Sequence, residues 1–435
     1  MAIMPMLLTM LPLVAAAASS SNVRTTPPPP PLVHPGILLT LPMLERIRDN
    51  VKNKKEPIWS AYLNVMNPNN TIGPTEGGRT AVWLGNLSYQ PDPQQLWIVN
   101  SSLSPGTRWL SCKEDALAAY THALLWFITE DKRHAAKAVE IMDAWALVLT
   151  EPIRAADGLE AAWSGTGWAR AAEIIKHTTE VGTWPEQNAS KFADMLVNIF
   201  YPWVNEGAST NGNIAFVMSE TALHIGVFTD NHSMVNDAIA LWRKQVPAYL
   251  YISSDGPSPK RPPAQRDLPS TSPVCGPTCD DAQIEHFWHG NKQFTGHDGI
   301  TQETCRDLGH TNMLFAALVN FAETAFHQGV DLYAEMRDRI IAGAEFHSSM
   351  MHDEADAFRR YDSWPNWPQW LCEGHPQGEY GDQPVNGSTY EMVHHHYVHR
   401  LNLSLPNVTA LLPQIRPTSC FDQQCWETLT HGDPL

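Results

Sequence analysis

The sequence predicts an all-α protein whose helices pair into hairpins and close into an (α/α) toroid, an incomplete barrel, with long decorated loops. Apolar residues recur with the 3.6-residue period of a helix in six successive segments. These segments are 113–129, 132–149, 159–182, 188–205, 212–228 and 232–246. Short breaks separate them, and helices joined by short turns pack as antiparallel neighbours. No fixed-period sequence repeat is visible, which favours a closed toroid over an open solenoid.

The chain ahead of these helices divides into parts of different character. Residues 1–18 carry an apolar run that ends in small residues, and we interpret them as a secretory signal peptide. Residues 19–33 form a proline-rich arm that cannot join a core. A single folded domain is expected over 34–435, opening with a helix that starts at Leu41-Pro42 and followed by a loop over 67–110.

Sequons and cysteines indicate an exported protein. Eight N-x-S/T sequons lie at Asn69, Asn86, Asn100, Asn188, Asn231, Asn386, Asn402 and Asn407. The chain has seven cysteines. Two pairs are close in sequence, Cys275/Cys279 and Cys420/Cys425, which leaves Cys112, Cys305 and Cys372. One thiol is therefore expected to stay free, and the protein is expected to be secreted to the extracellular space.

Charge and composition restrict the partners. The formal net charge of −17 makes nucleic acid an unsuitable partner and gives no attraction to a membrane surface. After residue 18, no segment approaches the roughly 18 apolar residues that a membrane span needs. We also expect the protein to be a monomer. A polyanionic ligand would need a local cationic patch. The 16 tryptophans offer flat faces that suit sugar rings, although several will be core residues.

The central stretch runs from Asp298 to Tyr333. Leu314 to Phe326 is apolar on two adjacent helical faces, which predicts a helix buried nearly all round. Three polar residues, Glu303, Arg306 and His310, are predicted to project from its amino-terminal end. A purely structural interpretation pairs Arg306 with Glu303 at a helix end. Charged residues are rarely buried unless they are paired, so the alternative interpretation places these three residues in a functional cleft at the end of the helix.

The same stretch predicts a helical hairpin. Gly329 supplies a residue that can turn left-handed past the helix end, and Asp331 is placed to cap the next helix.

A second stretch, 253–297, is rich in proline, glycine and basic residues. Its basic residues are Lys260, Arg261, Arg266 and Lys292, and its histidines include His286, His289 and His297. A long structureless segment inside a compact domain is usually functional or disordered. It is interpreted either as the cationic patch of a polyanion site or as a solvated loop.

Residues 389–401, TYEMVHHHYVHRL, predict a short helix in which Tyr390, His394 and Tyr397 share a face. Four histidines here raise the possibility of a metal site, but no carboxylate cluster accompanies them. We therefore expect no metal and no cofactor.

Four stretches in order resemble the alginate-lyase-like family of polysaccharide lyases, in particular fungal members near the alginate and glucuronan lyases. The stretches are NGNIAF (211–216), YLYISSDGPSPKRPP (249–263), DGITQETCRDLGHT with AETAFHQGVDLY (298–333), and TYEMVHHHYVHR (389–400). The resemblance spans roughly His34 to Pro417, and the third stretch is its most specific part. It implies an (α/α) toroid with a cleft across one mouth.

The resemblance also implies β-elimination at a uronic acid of an anionic polysaccharide. Such lyases neutralise the substrate carboxylate, remove the C5 proton with a Tyr or His, and protonate the leaving oxygen with a Tyr. The catalytic candidates carried over are Asn213, His289, Arg306, His310, Tyr390 and Tyr397, and the substrate-binding candidates are Glu303, Lys292 and His396. In these assignments Asn213 and Arg306 neutralise, the histidines act as base or position the substrate, and the two tyrosines compete for one role.

Two rival functions fit the same fold. A glycoside hydrolase would use two carboxylates, such as Glu303 with Asp298 or Asp307. A sugar-binding protein would keep the cleft without chemistry. Reaction products distinguish all three.

Overall fold

The structure is a computed structural model that describes residues 29–72, 82–96, 98–99, 110–155, 158–205, 207, 210–263, 275–289, 294–351, 368–374 and 389–435. Leu32–Leu435 forms one compact unit. The predicted signal peptide and most of the proline-rich arm lie outside the described residues. None of the described helices combines the length and apolar character needed to cross a bilayer.

Helices dominate the described chain. They are α1 (Leu41–Lys52), α2 (Ile58–Val65), α3 (Ser111–Thr129), α4 (Lys132–Val148), α5 (Leu159–Thr178), α6 (Glu186–Met195), α7 (Tyr201–Val204), α8 (Gly212–Phe228), α9 (His232–Tyr249), α10 (Asp281–His289), α11 (Leu308–His327), α12 (Leu332–Glu335), α13 (Arg337–Met350), α14 (Thr389–Val393), α15 (Pro406–Ile415) and α16 (Glu427–His431). A π-helical segment, Leu196–Phe200, joins α6 to α7, and another, His394–Arg400, extends α14.

Four long helices, α3, α5, α8 and α11, form successive inner walls, since α3 packs on α5, α5 on α8 and α8 on α11. In the pairs α3–α4 and α8–α9, the end of the inner helix contacts the start of the outer helix, so the outer helix returns antiparallel to it. The inner helices therefore run parallel, and their amino termini gather at one mouth of the domain. This arrangement confirms the predicted all-α toroid of helical hairpins.

Burial explains why the inner helices lack a polar face. Every residue of α8 is buried, and α11 is buried from Leu308 to Ala325. Such helices are apolar nearly all round because both their inward and outward sides meet other helices. The predicted buried central helix is thus confirmed.

The start of α11 differs from the prediction. Asp307 has an extended backbone and its side chain accepts a hydrogen bond from the backbone N–H of His310, which makes it the N-cap. Glu303 and Arg306 consequently lie in a turn ahead of the helix, and of the three predicted residues only His310 is helical. At the other end, Gly329 has φ +82° and Asp331 caps α12 through Ala334, as predicted.

Strands are few and short among the described residues. β1 (Ile98–Val99) pairs in parallel with β2 (Arg154–Ala155), and β3 (Cys420–Phe421) pairs antiparallel with β4 (Gln424–Cys425). The three disulfides are Cys275–Cys279, Cys305–Cys372 and Cys420–Cys425, and Cys112 carries the remaining, buried thiol. Both predicted close pairs and the single free thiol are confirmed.

The basic stretch 253–297 contains more structure than expected, because α10 occupies part of it. Its charge is also less available. The guanidinium of Arg261 pairs with Asp281 at 2.7 Å, and Lys260 contacts the carbonyl of Asp255. Arg266 and Lys292 lie outside the described residues.

Candidate active site

The amino termini of α8 and α11 meet at the mouth through the turn that precedes α11. The side-chain Oε1 of Gln302 accepts a hydrogen bond from the backbone N–H of Gly212 at 2.8 Å, and Oε1 of Glu303 accepts one from the backbone N–H of Asn213 at 3.4 Å. The first N–H groups of a helix have no partner within the helix. Gln302 and Glu303 supply those partners and thereby fix Asn213 at the mouth.

Arg306 lies on the other side of the same carboxylate. Its Nη1 is 3.3 Å from Oε2 of Glu303, which is fully buried, whereas a quarter of the Arg306 side chain is exposed. Glu303 therefore contacts the backbone of Asn213 with one oxygen and the guanidinium with the other. This arrangement holds a partly exposed cation next to the start of α8.

The side-chain amide of Asn213 completes this corner. The residue is 3% exposed, and its Oδ1 is buried without a hydrogen-bond partner. Buried polar atoms in folded proteins are nearly always paired, so this oxygen needs a further partner, either a water molecule or a ligand group.

His310 and Asp307 form a hydrogen-bonded pair on the first turn of α11. Nδ1 of His310 lies 2.6 Å from Oδ2 of Asp307, while the other carboxylate oxygen caps the helix. A carboxylate at Nδ1 fixes the tautomer in which Nε2 carries the lone pair. The pair therefore has the composition of an oriented general base.

Tyr390 lies at this end of α11. Its hydroxyl donates to Oδ1 of Asn312 at 3.1 Å, and burial raises the pKa of the phenol well above its usual range. Tyr390 is thus kept protonated, the form that can donate a proton.

Tyr397 and His396 are not brought to this corner. The Tyr397 hydroxyl donates to the backbone carbonyl of Tyr333, and the His396 ring stacks on Tyr333 at 3.9 Å and meets Phe326 edge-on. Phe326 is 16 residues beyond His310, or roughly 24 Å along the helix axis. The physical reason is position along the chain: 396 and 397 follow Tyr390 by six and seven residues and lie near the carboxyl end of α11.

The remaining predicted residues are less well placed by the structure. Lys292 lies outside the described residues, as does the side chain of His289, the last residue of α10. The backbone of α10 does approach the corner, because Nε2 of Gln302 donates to the carbonyl of Phe287 at 2.8 Å.

Sequence reasoning missed Gln302 and underused Asp307. The Gln302-Glu303 pair acts on a helix 90 residues away, which no local pattern reveals. The spacing of Asp307 and His310, by contrast, is a recognisable N-cap signal.

Two groups of described side chains could each hold a metal ion, and both lie away from this corner. They are His34, Glu173 and His177, and His395, His399 and Asp433. In the first, the imidazoles of His34 and His177 stack with an interplanar angle of 12°, so one ion cannot lie in both ring planes. In the second, Asp433 already pairs with Arg46 at 2.9 Å. The structure favours ion pairing at both places.

Comparison with known protein families indicates the class of protein to which this site belongs. Residues 105–259 match the family model described as alginate lyase. This segment includes α3, α4, α5 and α8, and therefore Asn213. The match supports the resemblance to the alginate-lyase-like family and indicates a polysaccharide lyase.

Solved structures share the whole architecture. Alginate lyase A1-III from Sphingomonas species A1 superimposes with a TM-score of 0.57 at 15% identity, over 90% of this chain and 95% of that chain. A variant of that enzyme complexed with a tetrasaccharide gives 0.56 at 14% identity, over 90% and 94%. A search of curated proteins found no significant match. At these identities the structural likeness establishes the fold.

Proposed function

We propose that the protein cleaves a uronic-acid-containing polysaccharide by β-elimination, with glucuronan and alginate as reference substrates, at the corner between α8 and α11. The observation that carries this proposal is that the buried Glu303 carboxylate contacts both the Arg306 guanidinium and the backbone N–H of Asn213, while the His310–Asp307 pair lies on the first turn of the helix that follows Arg306. These groups supply the two things that elimination needs, which are neutralisation of an anion and a base.

Neutralisation is required because the C5 proton of a uronate is adjacent to a carboxylate. Removing that proton moves negative charge onto the carboxylate, so groups that stabilise this charge lower the barrier. Arg306 offers N–H donors, and the amino terminus of α11 adds a favourable dipole for an anion. The Asn213 amide is the second neutralising group.

The proton transfers are assigned to the remaining groups. Nε2 of His310 takes the C5 proton, the electron pair forms the C4–C5 double bond, and the bond from C4 to its oxygen breaks. The departing oxygen receives a proton from Tyr390. We assign this role to Tyr390 over Tyr397 because the Tyr390 hydroxyl meets Asn312 near the start of α11, whereas Tyr397 contacts Tyr333.

The carboxylates of a hydrolase are less well supported. Glu303 is fully buried, Asp307 caps a helix and pairs with His310, and Asp298 accepts the backbone N–H of Ser253. All three therefore have structural partners, which favours the lyase.

Export of the enzyme belongs to the same proposal. Three disulfides fit an oxidising compartment. Among the sequons in the described chain, Asn69 and Asn402 are exposed and accessible to glycosylation. We propose a secreted glycoprotein that acts as a monomer on an extracellular polymer.

The test is digestion of a polyuronate panel, with ultraviolet absorbance and reducing ends followed together. Elimination creates a double bond conjugated to the carboxylate and raises the absorbance. New reducing ends without absorbance would indicate the hydrolase, and binding without turnover would indicate the sugar-binding protein.

A further inference from the structure

The β3–β4 hairpin, closed by Cys420–Cys425, fills the bore of the toroid. The carbonyl of Gln423 accepts hydrogen bonds from Arg170 on α5 at 2.8 Å and from Asn320 on α11 at 3.4 Å. Its side-chain Nε2 donates to the carbonyl of Met313. Because one residue bonds to two different inner walls, the hairpin lies between them and forms a floor beneath the mouth.

On one side of this floor, the hairpin meets the start of α3 and α5. Nζ of Lys113 lies 2.6 Å from Oδ1 of Asp422, 4.5 Å from the ring centroid of Trp163 and 5.9 Å from that of Phe421. Lys113, Trp163 and Phe421 are partly exposed, whereas Asp422 is 2% exposed. We name these four residues the floor cluster.

Two polar atoms of the floor cluster are buried and unpartnered: the indole Nε1 of Trp163, a donor, and Oδ2 of Asp422, an acceptor. Leaving such atoms unpaired costs free energy, and each is normally satisfied by protein, water or ligand. Nζ of Lys113 already lies over the Trp163 ring, so the match to a pyranose lies in its hydroxyls, which can pair with one donor and one acceptor.

The charge around the cluster decides which sugar fits. Burial lowers the pKa of Lys113, but Asp422, Glu160 and Glu114 act against it and raise the pKa overall, so the ammonium stays charged. One cation therefore faces three carboxyl groups. The excess of carboxyl groups repels the carboxylate of a uronate, whereas a neutral sugar is not repelled.

The cluster is also separate from the reacting corner. Lys113 and Trp163 lie on α3 and α5, whereas Asn213 and Arg306 lie at α8 and α11. Packed helices are about 8 to 10 Å apart, so Trp163 on α5 lies about one helix spacing from α8, and Lys113 on α3 lies about two. A sugar at the floor cluster is therefore a different unit from the uronate that reacts.

We propose that the floor cluster is a subsite for a neutral sugar residue, with Trp163 donating to one hydroxyl and Asp422 accepting from another. The assignment rests on the proposed lyase function, and it defines the preferred substrate as a mixed polysaccharide in which uronate residues are accompanied by neutral sugars.

Three variants test the subsite. Trp163→Phe removes the indole N–H and keeps an aromatic ring, and Asp422→Asn removes the free acceptor and keeps the size. Trp242→Phe is the matched control, because the Trp242 indole N–H is also buried and unpartnered but lies in the core against Phe321. Thermal unfolding confirms that each variant is folded.

Calorimetry with cellotetraose, a neutral oligosaccharide, measures the subsite directly. Wild type and Trp242→Phe are expected to bind it, while Trp163→Phe and Asp422→Asn bind about tenfold more weakly, the loss expected for one hydrogen bond. Equal affinity in all four proteins, or no binding by wild type, would overturn the subsite.

Kinetics then test the substrate class. With deacylated gellan, in which glucuronate is flanked by neutral hexoses, kcat/KM is expected to fall about tenfold in Trp163→Phe. With glucuronan, Trp242→Phe should keep the wild-type kcat/KM, and the loss in Trp163→Phe should be smaller than with gellan. Equal losses on both polymers would overturn the assignment. If no polymer is cleaved, the proposed lyase function fails while the cellotetraose titration still decides the subsite.

Discussion

The guanidinium of Arg306 lies 3.3 Å from the buried carboxylate of Glu303, whose other oxygen accepts the backbone N–H of Asn213. This contact is at once a structural ion pair and the means by which a cation is held at the mouth. It gives both interpretations of Arg306 a testable form.

Arg306→Lys is expected to lower kcat and kcat/KM by at least about tenfold, because an ammonium does not reproduce the forked donors of a guanidinium. Initial rates on a polyuronate measure it. Arg243→Lys, a change in an arginine of the outer helix α9 that pairs with Glu335, is the control and should retain activity. A folded Arg306→Lys enzyme that melts early yet keeps wild-type kcat would exclude Arg306 from the chemistry.

Substitutions of Tyr390 and Tyr397 are expected to affect different properties, kcat for Tyr390 and stability for Tyr397. Tyr390→Phe should reduce kcat by about 100-fold or more, because it removes the proposed proton donor. Tyr397→Phe should retain kcat. It should lower the free energy of unfolding by about 1 kcal/mol, the contribution of its hydrogen bond to Tyr333. Steady-state kinetics and denaturant unfolding of both variants provide the comparison. The opposite pattern of kinetic loss would move the tyrosine role to Tyr397.

Gly212 allows α8 and α11 to approach each other at the corner. A Cβ on Gly212 would lie 2.3 Å from Cδ1 of Leu314, so Gly212→Ala must displace one of them. We expect a loss of about 1 to 3 kcal/mol in unfolding free energy together with a lower kcat, since Asn213 moves with α8. Leu314→Val removes the clashing methyl and should restore part of both in the double variant. Failure of this rescue would show that the clash is not the cause.

Catalysis is expected to need no metal ion, because Arg306 and Asn213 neutralise the substrate. Exhaustive chelation should leave the initial rate unchanged. Chelation that abolishes activity, followed by recovery with one specific divalent ion, would contradict this assignment and direct attention to His395, His399 and Asp433.

Much of the fold follows from local pattern. The predicted segment 212–228 coincides with α8, and 132–149 differs from α4 by one residue, because inner and outer helices carry a periodicity that burial imposes. The prediction fails at the start of α11. Asp307 ends the preceding turn with its own side chain, which a count of apolar positions does not register.

The candidate site was predictable only in part, since its parts lie far apart in the sequence. Resemblance, and charge next to an apolar helix, predict Asn213, Arg306 and His310 as site residues. The contacts that position Asn213 come from Gln302 and Glu303, 90 residues later in the chain, and no local pattern reveals them. Tyr397 lies beside Tyr333, which follows α11 in the chain, and the sequence of 389–401 does not reveal this packing.

Proton NMR of the products tests the central claim most directly. Each bond broken by elimination leaves one C4–C5 double bond and one new reducing end, so digestion of glucuronan or alginate should yield the alkene proton and the new anomeric proton in a one-to-one ratio. New anomeric protons that appear with no alkene signal would contradict β-elimination at this site.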